Sequence, residues 1–495
     1  MGIIARQSIK GTIATYIGVA VGFFTTFFVL TRLLTAEEIG LVRVLLDAAT
    51  LFVGLAQLGT ATSIIRFYPH FHSDKGEHGF FFWSLLVPLV GFVLFSALFL
   101  LCRTPVEHWF GEKSPLFVSY YYFVLPIAFF MLYEAVAETC ANVRMRIVFP
   151  RAVREVGVRV GLLVCYLLYA YDVITMDGFV LALCLNYALA AVADFVYIAV
   201  ATPLSLKPDM SFLRSHPDIV KQYILYTAFL IVSAVASVLA PTLSSFFVSA
   251  KMGLEYTGIF AIATYMAVMV SIPNRSLTSI AAPQLSAALQ KNNLDEANAL
   301  LQKVTTNAML IGSIIFLAIW TNIDLIYALL PNGGTYAAAR NAVFLLGLSQ
   351  LCLASFTFSL SSLNYSRFYA LSLLFSLVLT VSSILLNNSL IPAYGITGAA
   401  LSNLLSYALY FALILLAVCC LQKAMPLCRQ QLYILLLLVL SVAVNEIICR
   451  SLPDSFVLGV VRSGVVLLGF MLLSYLLRLS EDINALLRSF FVSRH

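Results

Sequence analysis

Charge is scarce in this sequence. Lys, Arg, Asp and Glu supply 11% of its 495 residues, and hydrophobic residues supply 61%. A soluble domain carries roughly 25% charged residues, so a fold surrounded by water is excluded and most of the chain must face lipid or other buried helices. Short alternating apolar and polar segments, the mark of a transmembrane barrel, are missing. So is any CxxC or Cys/His pattern with metal-ligand spacing. The nine cysteines, with Cys165, Cys184, Cys419 and Cys420 inside apolar runs, read as small packing residues. His70, His72 and His78 share one loop without a second ligand pair, so neither a metal nor a cofactor is expected. Nor is a cleavable signal expected, because the first apolar run is too long and lacks an Ala-x-Ala exit. Arg6 stands where myristoylation after Gly2 needs Ser or Thr. The net charge of +6 would suggest nucleic acid in a soluble protein. Here basic residues flanking helices on the cytoplasmic side explain it, and no nucleic-acid partner is expected.

What is present is a series of hydrocarbon-length runs, each near the roughly 20 residues that cross a bilayer. About fourteen can be read, giving an all-α polytopic membrane protein. They lie at 10–33, 41–65, 80–102, 116–139, 153–171 and 178–201, then 223–250, 256–280, 304–330, 337–362, 368–390 and 397–421, and finally 431–450 and 456–477. With the amino terminus inside, 21 Lys and Arg fall on the inner half and 8 on the outer, together all 29. That asymmetry places both termini in the cytoplasm. The inner loops are the long ones, and the longest outer loop is about Arg103–Pro115. No soluble domain is inserted, so any function is carried by the helices. A membrane polysaccharide polymerase or ligase would need catalytic groups on a sizeable outer loop, and is disfavoured.

The chain also repeats itself. Phe27-Phe28-Val29 matches Phe246-Phe247-Val248 and Arg32 matches Lys251, an offset of 219. Gly40, read as closing a polar turn from Thr35, matches Gly258 at 218. Gly178 matches Gly398, and Tyr187-Ala188-Leu189 matches Tyr407-Ala408-Leu409, at 220. Six helices per copy bring both copies in from the same side, as parallel repeats about an axis along the membrane normal, with substrate expected between them. The division expected is an N-lobe at 1–202, a C-lobe at 203–422, and a helix pair with a cytoplasmic tail at 423–495.

Two six-helix lobes and an extra pair resemble the polysaccharide flippase branch of the multidrug/oligosaccharidyl-lipid/polysaccharide exporter superfamily. The residues that carry the resemblance are TRLLTAEEIGLVRVLLDAATLFVGLAQLGTATSIIRFYP (31–69), EYTGIFAIATYMAVMV (255–270) and AYGITGAALSNLLSYAL (393–409). It implies a non-enzymatic alternating-access flippase in the bacterial cytoplasmic membrane. The cargo implied is an undecaprenyl-diphosphate-linked oligosaccharide moved from the inner to the outer leaflet, with helices 13 and 14 lining a groove for its tail. Lipid II flippases and multidrug/cation antiporters are the rivals within the superfamily. Antiporters usually stop at twelve helices. Membrane lipids, H+ or Na+, and transient contact with polysaccharide assembly enzymes complete the expected partners.

A diphosphate needs cations, and the planar fork of arginine suits it. Arg43, Arg275, Arg32 and Lys251 are the candidates. Charges within membrane-spanning helices are by default functional. Arg43 lies one turn before Asp47, so an intrahelical pair is the structural alternative. For Arg32 and Lys251 the alternative is snorkelling to the outer interface, and for Arg275, two residues after Pro273, it is inner-surface anchoring. Asp47, Asp194 and Asp324 are the candidates for ion coupling. Glu134 and Glu138 are expected to pair with Arg144 and Arg146, and Glu446 with Arg450. The basic segment Asn142–Arg159 is expected to anchor on anionic lipid.

Overall fold

The computed structural model describes residues 3–71, 79–144, 146–201, 208, 210, 217–218, 221–222, 242–291, 293–366, 368–451, 456–482 and 484. Every regular element among them is helical. Among the described residues, eleven helices are long and apolar enough to cross a membrane. One of these, Tyr369–Leu421, holds two of the expected spans, joined at Gly395 (φ 59°, ψ −137°). Gly395 carries the joint because a side chain is disfavoured at positive φ. The fifth expected span is Val158–Ala170, led in by a π-helical turn at Val153–Gly157. Residues 223–241 of the seventh expected span lie outside the described residues, as do His72, His78 and Arg494. The chain forms two compact units, Met1–Gly258 and Ile259–His495.

In the first unit, the second span (Ala36–Ala56) and the fourth (Tyr121–Val143) are the interior helices. They are 61% and 56% buried over their apolar windows, against 17% for the third, Phe80–Leu101. Leu41, Val44, Leu45 and Ala49 of the second span, and Val124, Ile127, Ala128 and Leu132 of the fourth, are wholly shielded. Val90, Val93, Leu94 and Leu101 of the third are exposed, as expected of a helix whose outer face meets acyl chains. Arg103–Pro115 is largely helical rather than open: Arg103–Phe110 and Pro115–Ser119 fold back. Its Ser114 is buried and donates to the Ser249 carbonyl at 2.7 Å.

The first hairpin is tighter than its sequence suggests. Only Leu34 and Thr35 leave helical geometry, because Thr35 and Glu38 form a capping box: the Glu38 amide donates to Thr35 Oγ1 at 3.3 Å, and the Thr35 amide to Glu38 Oε2 at 2.8 Å. Satisfying two orphan donors at once lets the helix begin at Ala36. Gly40 therefore lies inside the second span and does not close the turn. A Cβ on Gly40 would stand 1.9 Å from the Leu254 carbonyl oxygen, and a Cβ on Gly258 would stand 1.9 Å from that of Ala36. The two backbones touch at a reciprocal crossing that only small residues permit. The expected span 41–65 is also interrupted: Leu58 and Gly59 take positive φ, and a fresh helix runs Thr60–Phe71.

In the second unit the ninth span, Leu294–Thr321, is the central helix at 72% burial, while Arg429–Cys449 and Val457–Leu476 are 28% and 22% buried. The carbonyl of Thr321, at the end of the central helix, accepts from Arg462 Nη2 at 2.9 Å and Ser463 Oγ at 3.1 Å. At the other end of that helix the tail is latched. Asp482 meets Lys303 at 2.9 Å and accepts from Asn307 at 2.9 Å, and Ser480 donates to Asn307 at 2.6 Å. Partial burial disfavours the Asp482 carboxylate, but its bonds from Lys303 and Asn307 prevail and hold it below the usual carboxylate value. A depressed folded value means the latch contributes above the unfolded value of about 3.9 and is lost as pH falls through the folded one. Proteolysis within 477–484 should therefore stay slow at neutral pH and accelerate only under strong acid, whereas Asp482→Asn should be cleaved quickly at every pH. Equal protection of variant and wild type at neutral pH would refute the latch.

Candidate functional site

Five of the seven candidate residues, Arg32, Arg43, Asp47, Asp194 and Lys251, belong to the first unit. The second span begins at Ala36, which puts Arg43 two turns in and Asp47 one turn further. Arg43 Nε donates to Asp47 Oδ2 at 2.8 Å. The two side chains keep 18% and 12% of their exposure, so the pair is neither a surface bridge nor sealed. The hydroxyl of Ser245 also faces Asp47, and Ser245 is itself buried. Helical spacing made the Arg43–Asp47 bond readable in advance. Ser245 sits about 200 residues away in sequence and gave no signal.

Arg32 occupies the last turn of the first span, Thr31–Leu33, where it is exposed and has no ion-pair partner among the described residues. The preceding turn is π-helical over Thr25–Leu30, and the Thr31 hydroxyl donates to the Phe27 carbonyl at 2.6 Å. Such widened turns are often found where helices serve function. Lys251 stands over the Phe247 ring at 5.6 Å. Arg275 and Asp324 belong to the second unit. Arg275 lies in the first turn of Ile272–Gln290, just past a 3₁₀ step at Met269–Ser271, and is exposed. The step forms where Pro273 at the helix start cannot supply an amide to the ladder, and the Ser271 hydroxyl there is bonded to Gln350 at 2.8 Å. Asp324 is exposed and gripped by Arg340 through two bonds of 3.1 and 3.4 Å.

Asp194 keeps different company. It is wholly buried on the sixth span, Met176–Ala201, near Glu138 and Arg154. The expected pairing of Glu134 and Glu138 with Arg144 and Arg146 is corrected. Glu138 bonds to Arg154, whereas Arg144 donates to the Cys140 carbonyl at 3.0 Å and lies over the Tyr68 and Phe81 rings. The fourth span stops at Val143, so Arg144 turns towards the aromatic cluster, while the π-helical turn brings Arg154 back to the same helix. Among the described residues, no group of three His, Cys, Asp or Glu is gathered closely enough to hold a metal ion.

This arrangement defines a multi-pass, all-helical membrane protein with buried charge in its helices, and its fold is shared with solved transporters. The chain aligns with lipid II flippase MurJ in an inward closed conformation at a TM-score of 0.72 and 13% identity, over 94% of this chain and 99% of that one. A multidrug resistance MATE family transporter of the MOP superfamily, inward-facing, aligns at 0.61 and 15% identity, over 86% and 99%. The Vibrio cholerae MATE transporter VcmN aligns at 0.57 and 14% identity, over 86% and 98%. No curated protein sequence matches the chain significantly. A family profile described as "Polysaccharide biosynthesis protein" matches residues 7–289, more than half of the 495. The chain belongs to that family, in keeping with the polysaccharide resemblance read from its sequence, and it shares its fold with the solved exporters.

Proposed function

We propose that this protein is an alternating-access flippase that carries an undecaprenyl-diphosphate-linked oligosaccharide from the inner to the outer leaflet of the bacterial cytoplasmic membrane, for surface polysaccharide assembly. It acts as a transporter and makes or breaks no bond in its cargo. The observation that carries this reading is the polysaccharide biosynthesis match across 7–289. Supporting it, the alignment to the lipid II flippase takes in 94% of the chain, against 86% for the two multidrug transporters. The lobes are 1–202 and 203–422, with 423–495 supplying the extra pair and a cytoplasmic tail.

Arg43 and Arg275 bind the diphosphate, with Arg32 and Lys251 as the repeat-related cations nearer the outer end. Arg43 is held by Asp47, so loading the diphosphate exchanges one anion for another on a single guanidinium. A proton or Na+ arriving at Asp47 would favour that exchange by neutralising the competing carboxylate. Asp194 is the second candidate for coupling. Asp324 is the third, through a carboxylate now held by Arg340.

The test is leaflet translocation of a fluorescent polyprenyl-diphosphate oligosaccharide in proteoliposomes. A charge-assisted hydrogen bond is worth about 1.5–3 kcal/mol, so Arg43→Ala and Arg275→Ala should each slow transfer by about tenfold or more. Unchanged rates in both variants would defeat the site assignment. Absence of transfer for any polyprenyl-linked sugar, with lipid II or a drug cation moved instead, would defeat the function.

A further inference from the structure

The inner half of the first unit buries more acid than base. Glu134 and Glu138 come from the fourth span and Asp194 from the sixth, with Arg154 and Glu155 on the π-helical turn that leads into the fifth. Arg159, one turn on, meets Glu155 at 3.1 Å, and Arg154 meets it at 3.7 Å while bonding Glu138. The two arginines thus answer Glu138 and Glu155. Arg151, on the short helix before them, lies against Gly11 of the first span. Among the described residues, neither Glu134 nor Asp194 has an ion pair of its own. Glu134 feels Asp194, Glu138 and Glu155 as neighbouring anions, against Arg154 as a neighbouring cation.

Asp194 has no solvent exposure, and neither of its carboxylate oxygens has a hydrogen-bond partner among the described residues. Glu134 is 6% exposed, and its Oε1 is likewise unpartnered. Two such anions, side by side at this depth, would each cost several kcal/mol even after relaxation. Neutralisation is the cheaper state. A proton neutralises such a pair without further ligands, and among the described residues no three carboxyl, His or Cys groups are close enough to hold a metal ion.

We infer that Asp194 and Glu134 form a proton-binding site, sharing at least one proton beside the fixed Glu138–Arg154 pair. When both carboxyls are loaded, the fourth and sixth spans pack without net repulsion. When the proton leaves, like charges face each other across that seam and the seam must admit water or open. The chemistry calls for no co-reactant, since a proton is gained and lost with no other bond changed. Use of this proton in transport rests on the reading of the chain as an ion-coupled flippase, but the site itself does not.

Infrared spectroscopy of the full chain in lipid vesicles reads the site directly through the C=O stretch of protonated carboxylic acids. Wild-type protein should show that band at neutral pH and lose it on alkaline titration. Asp194→Asn and Glu134→Gln should each diminish it, while Asp324→Asn leaves it intact. The two amide variants are near-isosteric, and if one does not fold the other carries the test. No carboxylic band at neutral pH, or a band that both variants leave unaltered, overturns the inference. Sodium added at constant pH should have no effect on the band. Displacement of the band by sodium would overturn the proton assignment in favour of an alkali cation. Oligosaccharide flipping measured in the same vesicles scores the transport reading separately: a band lost with flipping retained keeps the site and removes its coupling role.

Discussion

Gly40→Ala should unfold or inactivate this protein although it adds a single methyl group, and Gly258→Ala should do the same to a similar degree. The new Cβ would lie 1.9 Å from a backbone carbonyl oxygen in either case, with the partner glycine's amide nitrogen at 3.1 Å. A carbon meets a carbonyl oxygen comfortably at about 3.3–3.6 Å, so the helices must separate by more than an ångström. Overpacking typically costs about 1–3 kcal/mol. The obstructing atoms here are main chain, which cannot swing aside as a flexible side chain would, so the upper end of that range or more is expected. Thermal unfolding in detergent should show a large fall for each variant. Because both report on one crossing, the double variant should fall less than the sum of the singles. Wild-type stability and transfer in Gly40→Ala would show that the two backbones do not touch in the working protein.

The second large effect concerns Arg43 and Asp47. Removing one member of a buried pair strands the other charge, at about 3–5 kcal/mol, whereas replacing both with apolar side chains is often neutral or stabilising. The partial exposure of this pair, and the Ser245 hydroxyl that still faces Asp47, put the expected loss at the low end, about 3 kcal/mol. Asp47→Ala should accordingly be less stable than the Arg43→Met/Asp47→Leu double variant. The double variant should nonetheless fail to translocate the lipid-linked oligosaccharide, and Arg43→Lys, which keeps the charge but loses the fork, should transfer more slowly than wild type. A stable double variant that flips normally would reduce the pair to a structural staple.

The parts of this molecule that could be read from its sequence are those set by local rules. Span positions follow from runs of apolar residues, and Arg43 finds Asp47 because positions four apart on a helix are neighbours. Asp194 stood out because an acid in an apolar run has few destinations. What could not be read depends on where the chain returns. Arg154 reaches Glu138 across a loop and a π-helical turn, and hydropathy does not register the added residue of that turn. Arg144 lay nearer in sequence but was drawn to aromatic rings. Gly40 had the look of a turn glycine, since glycine after a polar stretch usually is one. Its actual use, letting another backbone approach, is visible only once that backbone is in place. The join at Gly395 was read as the loop it replaces, because a tight joint and a short loop leave the same mark in composition.

The glycine crossing has one more consequence, for ancestry. Ala36 and Gly40 stand to Leu254 and Gly258 as each sequence stands to its copy, both at an offset of 218, and each member touches the other's counterpart. This is the signature of a self-complementary contact, the kind a two-fold homodimer makes with itself. Under the duplication read from the sequence, a single-copy ancestor would have met a second copy of itself here, and any mutation at the contact would have struck twice. Fusion into one chain would let the copies diverge, and at the same offset Ala261 and Tyr265 stand in the places that correspond to Arg43 and Asp47. A lone charge pair is something a symmetric dimer could not have kept on one side only.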